Sequence, residues 1–388
     1  MARSTDIRVN PALLIWARES SGEDVERVAN RLNIKVGLVE KWERGEAGLT
    51  YRRLEALADL YKRPVAAFFQ SHVPLEATEP TDFRSTNGGT TKARKELKLS
   101  TRRARFLRNV FEELNPEYVV FKNRQASLSA NPSEVAANER ERLGVTFQTQ
   151  KGWRVGPDSF NEWKKILEDA GILVFQNGFE TDDVSGFSLG DPQKRPVIVV
   201  NSRDAATRKS FTLFHEYCHI LLNSSGVCQL KNSVEEFRRD DSIEAFCDKF
   251  AAAFLVPKDI FLEQPSIERV VSRLEDEKAI KTLADTFKVS RQVILIQLLL
   301  SNKISKEYYD TKKRKFDAEF KAIQAKKKEE QKKKPGGPPR HYMAISENGR
   351  PFTKATLNAL KRGQISKSDA SNYFGVRVRH LPAIESAI

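Results

Sequence analysis

Apolar residues recur along most of this chain at intervals of three and four, the period of a helix with one buried face. In DVERVANRLNI, Val25, Val28, Ala29 and Leu32 share such a face. VGLVEKWERG follows a short break, and Gly45 is placed to end it. YRRLEALADLYKR then sets Leu54, Leu57, Ala58 and Tyr61 on one side, behind Thr50 as N-cap, until Pro64 stops the pattern. Together these segments predict a bundle of short helices over about 22–70. SEVAANERERLG (133–144) and SFNEWKKILEDA (159–170) read as further helices. The period then changes. GILVFQ (171–176), VSGFSL (184–189) and RPVIVVN (195–201) are short, rich in Val, Ile and Phe, and bounded by Gly, Asp and Pro. They predict strands of one small sheet. Helical patterns resume near Ala205 and dominate the remainder, ending in KATLNALKRG and SKSDASNYFGV. The expected fold class is therefore mostly α with a small β-sheet, an α+β chain.

Composition bounds what such a chain can be. Of 388 residues, 39% are hydrophobic and 30% charged, which suits a globular protein with some solvated stretches. No apolar run is long enough to span a bilayer, and the N-terminus lacks an apolar core followed by a small-residue cleavage site. Three cysteines, Cys218, Cys228 and Cys247, make no disulfide framework and fit a reducing compartment. A cytoplasmic protein with no membrane partner is expected. The net charge of +14 is concentrated. Residues 84–108 carry nine Lys or Arg against one Glu, and residues 301–340 carry fourteen against six acids. Segments of this kind attract nucleic acid or form solvated helix faces and linkers.

The chemistry lies in FTLFHEYCHILLN, 211–223, a helical pattern with Phe211, Phe214, Cys218 and Leu222 along one flank. His215 and His219 are four apart, so both imidazoles project from one face and can share a zinc ion. Glu216 sits beside the first histidine and can act as general base on a water at the ion; this is the His-Glu-x-x-His arrangement. A catalytic zinc needs a third protein ligand. In the next helical pattern, DSIEAFCDKFAAAFLVP (241–257), Glu244, Cys247, Asp248 and Ala251 share a face, while Phe250, Phe254 and Leu255 anchor the helix and Pro257 ends it. Glu244 would be the third ligand, and Asp248, one turn on, would hydrogen-bond the other nitrogen of a histidine ligand. Glu235, Glu236, Asp240, Asp241 and Cys247 compete for the role. The acids fall in a charged, loop-like run, and thiolates are usual in structural rather than hydrolytic sites, which favours Glu244. Cys218 and Cys247 read as small core residues.

Two resemblances follow from these residues. WERGEAGLTYRRLEALADLY resembles the helix-turn-helix of the XRE repressor family, with Trp42, Glu43, Gly45, Leu54, Leu57 and Ala58 in the expected places. That family usually carries small polar residues at the start of its recognition helix, where this chain has Lys35, Val36, Gly37 and Leu38. Val and Leu cannot supply the donors and acceptors that read bases. Any DNA affinity is expected to come from phosphate contacts by the Arg- and Lys-rich segments, with Lys35, Lys41 and Arg44 the candidate contacts within the module, and with little sequence preference; the alternative is a module that docks onto protein. RPVIVVN, FTLFHEYCHILL and IEAFCDKFAAAFLVP together resemble the ImmA/IrrE metallopeptidases, across roughly 150–310. That family joins His-Glu-x-x-His to a downstream E-x-x-A-N-x-F-A-A-x-L-L-M-P. Here Cys247 and Asp248 replace the commoner Ala and Asn, and neither change removes a ligand.

The resemblance implies a gluzincin-like core holding zinc through His215, His219 and Glu244, with Glu216 as catalytic base. It implies cleavage of a protein regulator such as a DNA-binding repressor, in mobile-element or stress-response control. Some such fusions are antitoxins paired with a toxin, so the alternative is a DNA- or protein-binding regulator or antitoxin with little or no peptidase activity. IKTLADTFKVSRQVILIQLLL (280–300) resembles the small helical domain that follows the core in relatives. RPVIVVN could bind an extended peptide by edge pairing. The expected organisation is an XRE-like module over 1–72, a linker and basic helix over 73–130, a metallopeptidase core over 131–262 and a helical domain over 263–310. A Lys-rich linker over 311–340, ending in KKKPGGPPR, and a small helical unit over 341–388 complete it.

Overall fold

The computed structural model describes residues 7–74, 91–115, 125–179, 184–191, 193–223, 227–228, 243–272, 277–333 and 336–388. The chain is mostly helical with one small mixed sheet, as the periodicity predicts. It divides into two compact units, Met1–Arg105 with Phe179–Asp183, and Phe106–Gly178 with Val184–Ile388.

The first unit is built on α1 (Pro11–Ser20), α2 (Val25–Leu32), α3 (Val36–Glu43) and α4 (Tyr51–Tyr61). Leu14, Ala17, Val28, Val39, Trp42, Leu54, Leu57, Tyr61 and Phe68 close its core. Asp24 and Thr50 cap α2 and α4 by accepting from the N–H groups of Arg27 and Arg53. α1 lies ahead of the predicted bundle; Leu13, Leu14 and Ala17 are its buried stripe. The unit also holds the start of α5 (Thr91–Leu114), and here the basic run departs from a free cationic face. Lys95 pairs with Glu23, which is buried. Lys98 donates to Glu19 O, and Arg102 donates to Tyr61 O at 3.2 Å and Lys62 O at 2.6 Å, satisfying carbonyls at the end of α4. Most of the expected linker, residues 75–90, lies outside the described residues.

In the second unit, α6 (Pro132–Arg142), α7 (Phe147–Gly152) and α8 (Pro157–Asp169) precede β1 (Leu173–Asn177), β2 (Gly186–Leu189) and β3 (Val197–Asn201). Then come α9 (Ala206–Leu221), the two-residue β4 (Val227–Cys228) and α10 (Ile243–Leu255). The sheet order is β1-β3-β2-β4, with β1 parallel to β3 and the other pairs antiparallel. This overturns edge pairing by RPVIVVN: β3 is hydrogen-bonded on both sides, so its backbone groups are taken. Its continuous Val-Ile-Val-Val run is buried on both faces, the pattern of a central strand. Gly186 lets β2 close on α9; a Cβ there would stand 2.6 Å from Thr212 Cγ2 and 2.7 Å from Val199 O.

Small helices α11 (Lys258–Leu262), α12 (Pro265–Ser272), α13 (Glu277–Phe287) and α14 (Arg291–Leu300) extend the same core. α15 (Lys306–Lys333) then runs as one helix through most of the segment expected to be a linker. Lys312 and Lys315 both reach Glu277, and Arg291 reaches Glu319, so oppositely charged side chains hold its first half on the core.

The last fifty residues form α16 (Arg340–Asn348), α17 (Arg350–Lys361), α18 (Lys367–Phe374) and α19 (Leu381–Ser386). They do not stand apart, as the sequence suggested. α16 packs on β1. Lys164 donates to Ser346 O at 2.8 Å, Gln176 donates to Ser346 Oγ at 2.6 Å, and the Arg350 N–H donates to Glu168 at 3.3 Å. Phe352 meets Phe175 edge-on at 6.1 Å.

Candidate metal centre

α9 and α10 form the centre, and aromatic packing on their flanks fixes which faces meet. Phe214 of α9 stacks on Phe254 of α10 with ring centroids 4.0 Å apart, and Trp163 of α8 meets Phe214 edge-on at 5.0 Å. Tyr217 reaches Phe250 on one side and hydrogen-bonds Glu139 and Arg142 of α6 on the other. The C-terminal carbonyls of α10 are orphans of the helix ladder. Arg140 donates to Phe254 O at 2.6 Å and Gln150 to Leu255 O at 2.8 Å. α10 is thereby held at its end as well as along its side.

With the aromatics turned aside, the polar stripes of the two helices face each other. His215 and His219 are fully buried, and their Nε2 atoms are 3.1 Å apart. Glu244 bridges them, Oε2 lying 3.2 Å from His215 Nε2 and Oε1 3.2 Å from His219 Nε2. Each of the three residues brings one ligand atom to the same place, all within 4.8 Å of one another. A tetrahedral ion bonded at about 2.0–2.1 Å separates its ligand atoms by roughly 3.3 Å, close to the 3.1 Å between the two Nε2 atoms. Among the described residues, His215, His219 and Glu244 are the group that could hold a metal ion. Glu235, Glu236, Asp240 and Asp241, the competing acids, lie outside the described residues.

Asp248 stands one turn beyond Glu244. His215 Nδ1–H donates to Asp248 Oδ1 at 2.8 Å, which leaves the Nε2 lone pair for an ion. Cys247 is buried within interaction range of Cys218 and His219, a proximity that residue spacing alone did not signal. Burial raises the pKa of Glu244, but hydrogen bonds to His215 and His219 outweigh it and hold the carboxyl well below its ordinary range. It is an anion at neutral pH, as a ligand must be.

Glu216 lies beside the ligands, fully buried, and neither carboxylate oxygen completes a hydrogen bond among the described residues. Ser188 Oγ of β2 faces it without reaching ordinary hydrogen-bond geometry. Burial pushes the Glu216 pKa up, more than the neighbouring His219 and His215 pull it down. A buried carboxyl without partners is costly to keep unless it serves a bound species. The arrangement can therefore hold one ion and present one poised proton acceptor.

The nucleic-acid contacts expected in the first unit fare differently. Lys35 and Lys41 are exposed. Arg44 lies 2.8 Å from Glu46 and 3.8 Å from Glu40, so acidic neighbours offset its charge. Glu40 shares the exposed face of α3 with Val36 and Gly37.

No curated protein and no solved structure matches the chain. Residues 167–299, which span the sheet, both site helices and the helices up to α14, match the peptidase family described as IrrE N-terminal-like domain.

Proposed function

We propose that this chain is a zinc-dependent endopeptidase that cleaves a protein regulator, such as a DNA-binding repressor. The observation that carries the reading is the buried, partnerless Glu216 carboxylate beside three converging ligand atoms. A scaffold that merely held an ion would have no use for it. Zinc held by His215, His219 and Glu244 would supply Lewis-acid polarisation of the scissile carbonyl and acidify the attacking water. Glu216 takes the proton of that water and passes it to the leaving amine. Its raised pKa suits both halves of this task, since the proton must be released again after it is accepted. Asp248 keeps His215 in the tautomer that ligates. The choice of a regulator as target rests on the resemblance to ImmA/IrrE peptidases.

The test is digestion of a peptide library from a whole proteome by the zinc-loaded chain, read by mass spectrometry. The wild type is expected to create new termini, while Glu216→Gln retains zinc and creates none, because the amide cannot accept a proton at neutral pH. Equal cleavage by the two proteins would refute the mechanism. Elemental analysis of His215→Ala and Glu244→Ala is expected to show loss of the ion, and unchanged zinc content would refute the ligand set.

A further inference from the structure

The C-terminal helices carry a second helix–turn–helix pattern, and it differs from the first in the surface it presents. α18 ends at Phe374, and Gly375 follows in the left-handed conformation at φ 63°. Val376 and Arg377 lead into a 3₁₀ turn, Val378–His380, which runs directly into α19. Ala370, Phe374, Leu381 and Ile384 are buried, with Val376 partly so, at the spacing that closes two helices over a tight glycine turn. In helix-turn-helix modules the residues at the start of the second helix face outward and contact a major groove; here the 3₁₀ turn Val378–His380 occupies that place, ahead of the six-residue α19.

In this chain that position holds Arg377, Val378 and Arg379, all exposed, with Val378 at 44%. Arg379 lies against His380 at 3.4 Å, and neither arginine makes an ion pair with an acid among the described residues. Arg340 donates to Gly375 O at 3.1 Å, which sets a third guanidinium beside the turn. Residues 340–388 hold eight Lys or Arg and three acids. Glu347 pairs with Arg340 and Glu385 with Lys361, while Asp369 accepts from the neutral Ser366 and keeps its charge. With eight cations against three acids the segment is still net positive, and Arg377 and Arg379 carry that charge on exposed positions at the turn. The exposed face of α3 instead mixes Glu40 with apolar Val36 and an acid-paired Arg44.

We propose that α18 and α19 form a binding site for duplex DNA, with Arg377 and Arg379 entering the major groove and Lys367 meeting a phosphate. A guanidinium fork can donate two bonds to a guanine edge, which Val and Gly cannot. The deep, narrow groove of A-form RNA would exclude the same turn. The site lies outside residues 167–299 and uses none of the groups at the metal centre. The protein would thus hold its own DNA contact while its peptidase site remains available.

The full-length chain can be titrated against a labelled random-sequence duplex at about 50 and about 200 mM salt, read by fluorescence anisotropy. Arg377→Ala/Arg379→Ala is expected to weaken binding by roughly tenfold or more and to reduce the salt slope by about two. Arg377→Lys/Arg379→Lys should restore the slope, since charge suffices for it. Lys165→Ala/Lys258→Ala removes two exposed cations elsewhere on the same unit and should change affinity little. Circular dichroism and melting should be unchanged in all three. The proposal is overturned if the wild type does not bind duplex DNA, or if the control pair loses as much as the arginine pair. It is equally overturned if only Lys35→Ala/Lys41→Ala abolishes binding, or if double-stranded RNA of equal length binds more tightly.

Discussion

Asp248 shows how much of the candidate centre depends on one side chain outside the set His215, His219 and Glu244 that could hold an ion. It accepts from His215 Nδ1 at 2.8 Å and so decides which imidazole nitrogen keeps its lone pair. Asp248→Ala is expected to lower metal affinity by about 10- to 100-fold while leaving one ion bound at saturation. Competition with a chromophoric chelator measures this, and unchanged affinity would remove Asp248 from the site. The His-Glu-x-x-His spacing, and the register of Glu244 against Asp248, were legible in the sequence because both are properties of a single helix. The neighbours of Glu216, and the place of Cys247 against His219, were not, because they depend on how separate elements pack.

At the scale of elements, the C-terminal helices depend on a close approach that only glycine permits. Gly349 joins α16 to α17 at φ +76°, and a Cβ there would stand 2.7 Å from Glu168 Oε1 and 2.8 Å from Val174 O. Gly349→Ala combines backbone strain with a clash, and a destabilisation of about 1–3 kcal/mol is expected. Chemical denaturation measures the loss, and limited proteolysis should show faster cutting within 340–388. α18 has a different dependence. Hydrogen bonds from the Ser366 hydroxyl and N–H depress the Asp369 pKa. A depressed carboxyl stabilises the fold above its unfolded value and loses that contribution as pH falls through its folded value. Protection factors of the amides in the first turn of α18, taken against the unfolded chain at the same pH, are therefore expected to fall in acid, below the ordinary aspartate range, and Asp369→Asn should remove that dependence. The site helices and the strands β1, β2 and β3 were predictable from period, whereas α1, α7 and the two-residue β4 were not. The long α15 was not, since Lys-rich composition masked a helix whose cations pair with Glu277 on another element.

For the molecule as a whole, the division into two units bears on what metal removal does. The ion would bind residues of the second unit alone. A ligand that binds only the folded state stabilises it by about 4 kcal/mol at a thousandfold excess over its Kd. Adding a chelator is thus expected to lower the melting transition of the second unit and leave that of the first unmoved, as read by calorimetry. A uniform shift of the whole profile would show that the units unfold as one. The net charge of +14 suggested two free basic surfaces, yet Lys95, Lys98 and Arg102 of the first run are engaged within the fold.

The sequence by itself determined the helix that carries His215, Glu216 and His219, the helix that carries Glu244 and Asp248, and the α+β class, because helical and strand periods are written in near neighbours. Tertiary structure decided the rest. It set β3 between β1 and β2, closing the edge proposed for a peptide, and it packed α16 on β1 and α17 on α8, with α18 and α19 against them. It engaged Lys95, Lys98 and Arg102 of α5 with groups of α1, α4 and Glu23, and left Arg377 and Arg379 exposed. Strand order, helix docking and the partner of a charge are contacts between residues far apart in the chain, and no local pattern distinguishes an arginine that will meet a carbonyl from one that will meet solvent.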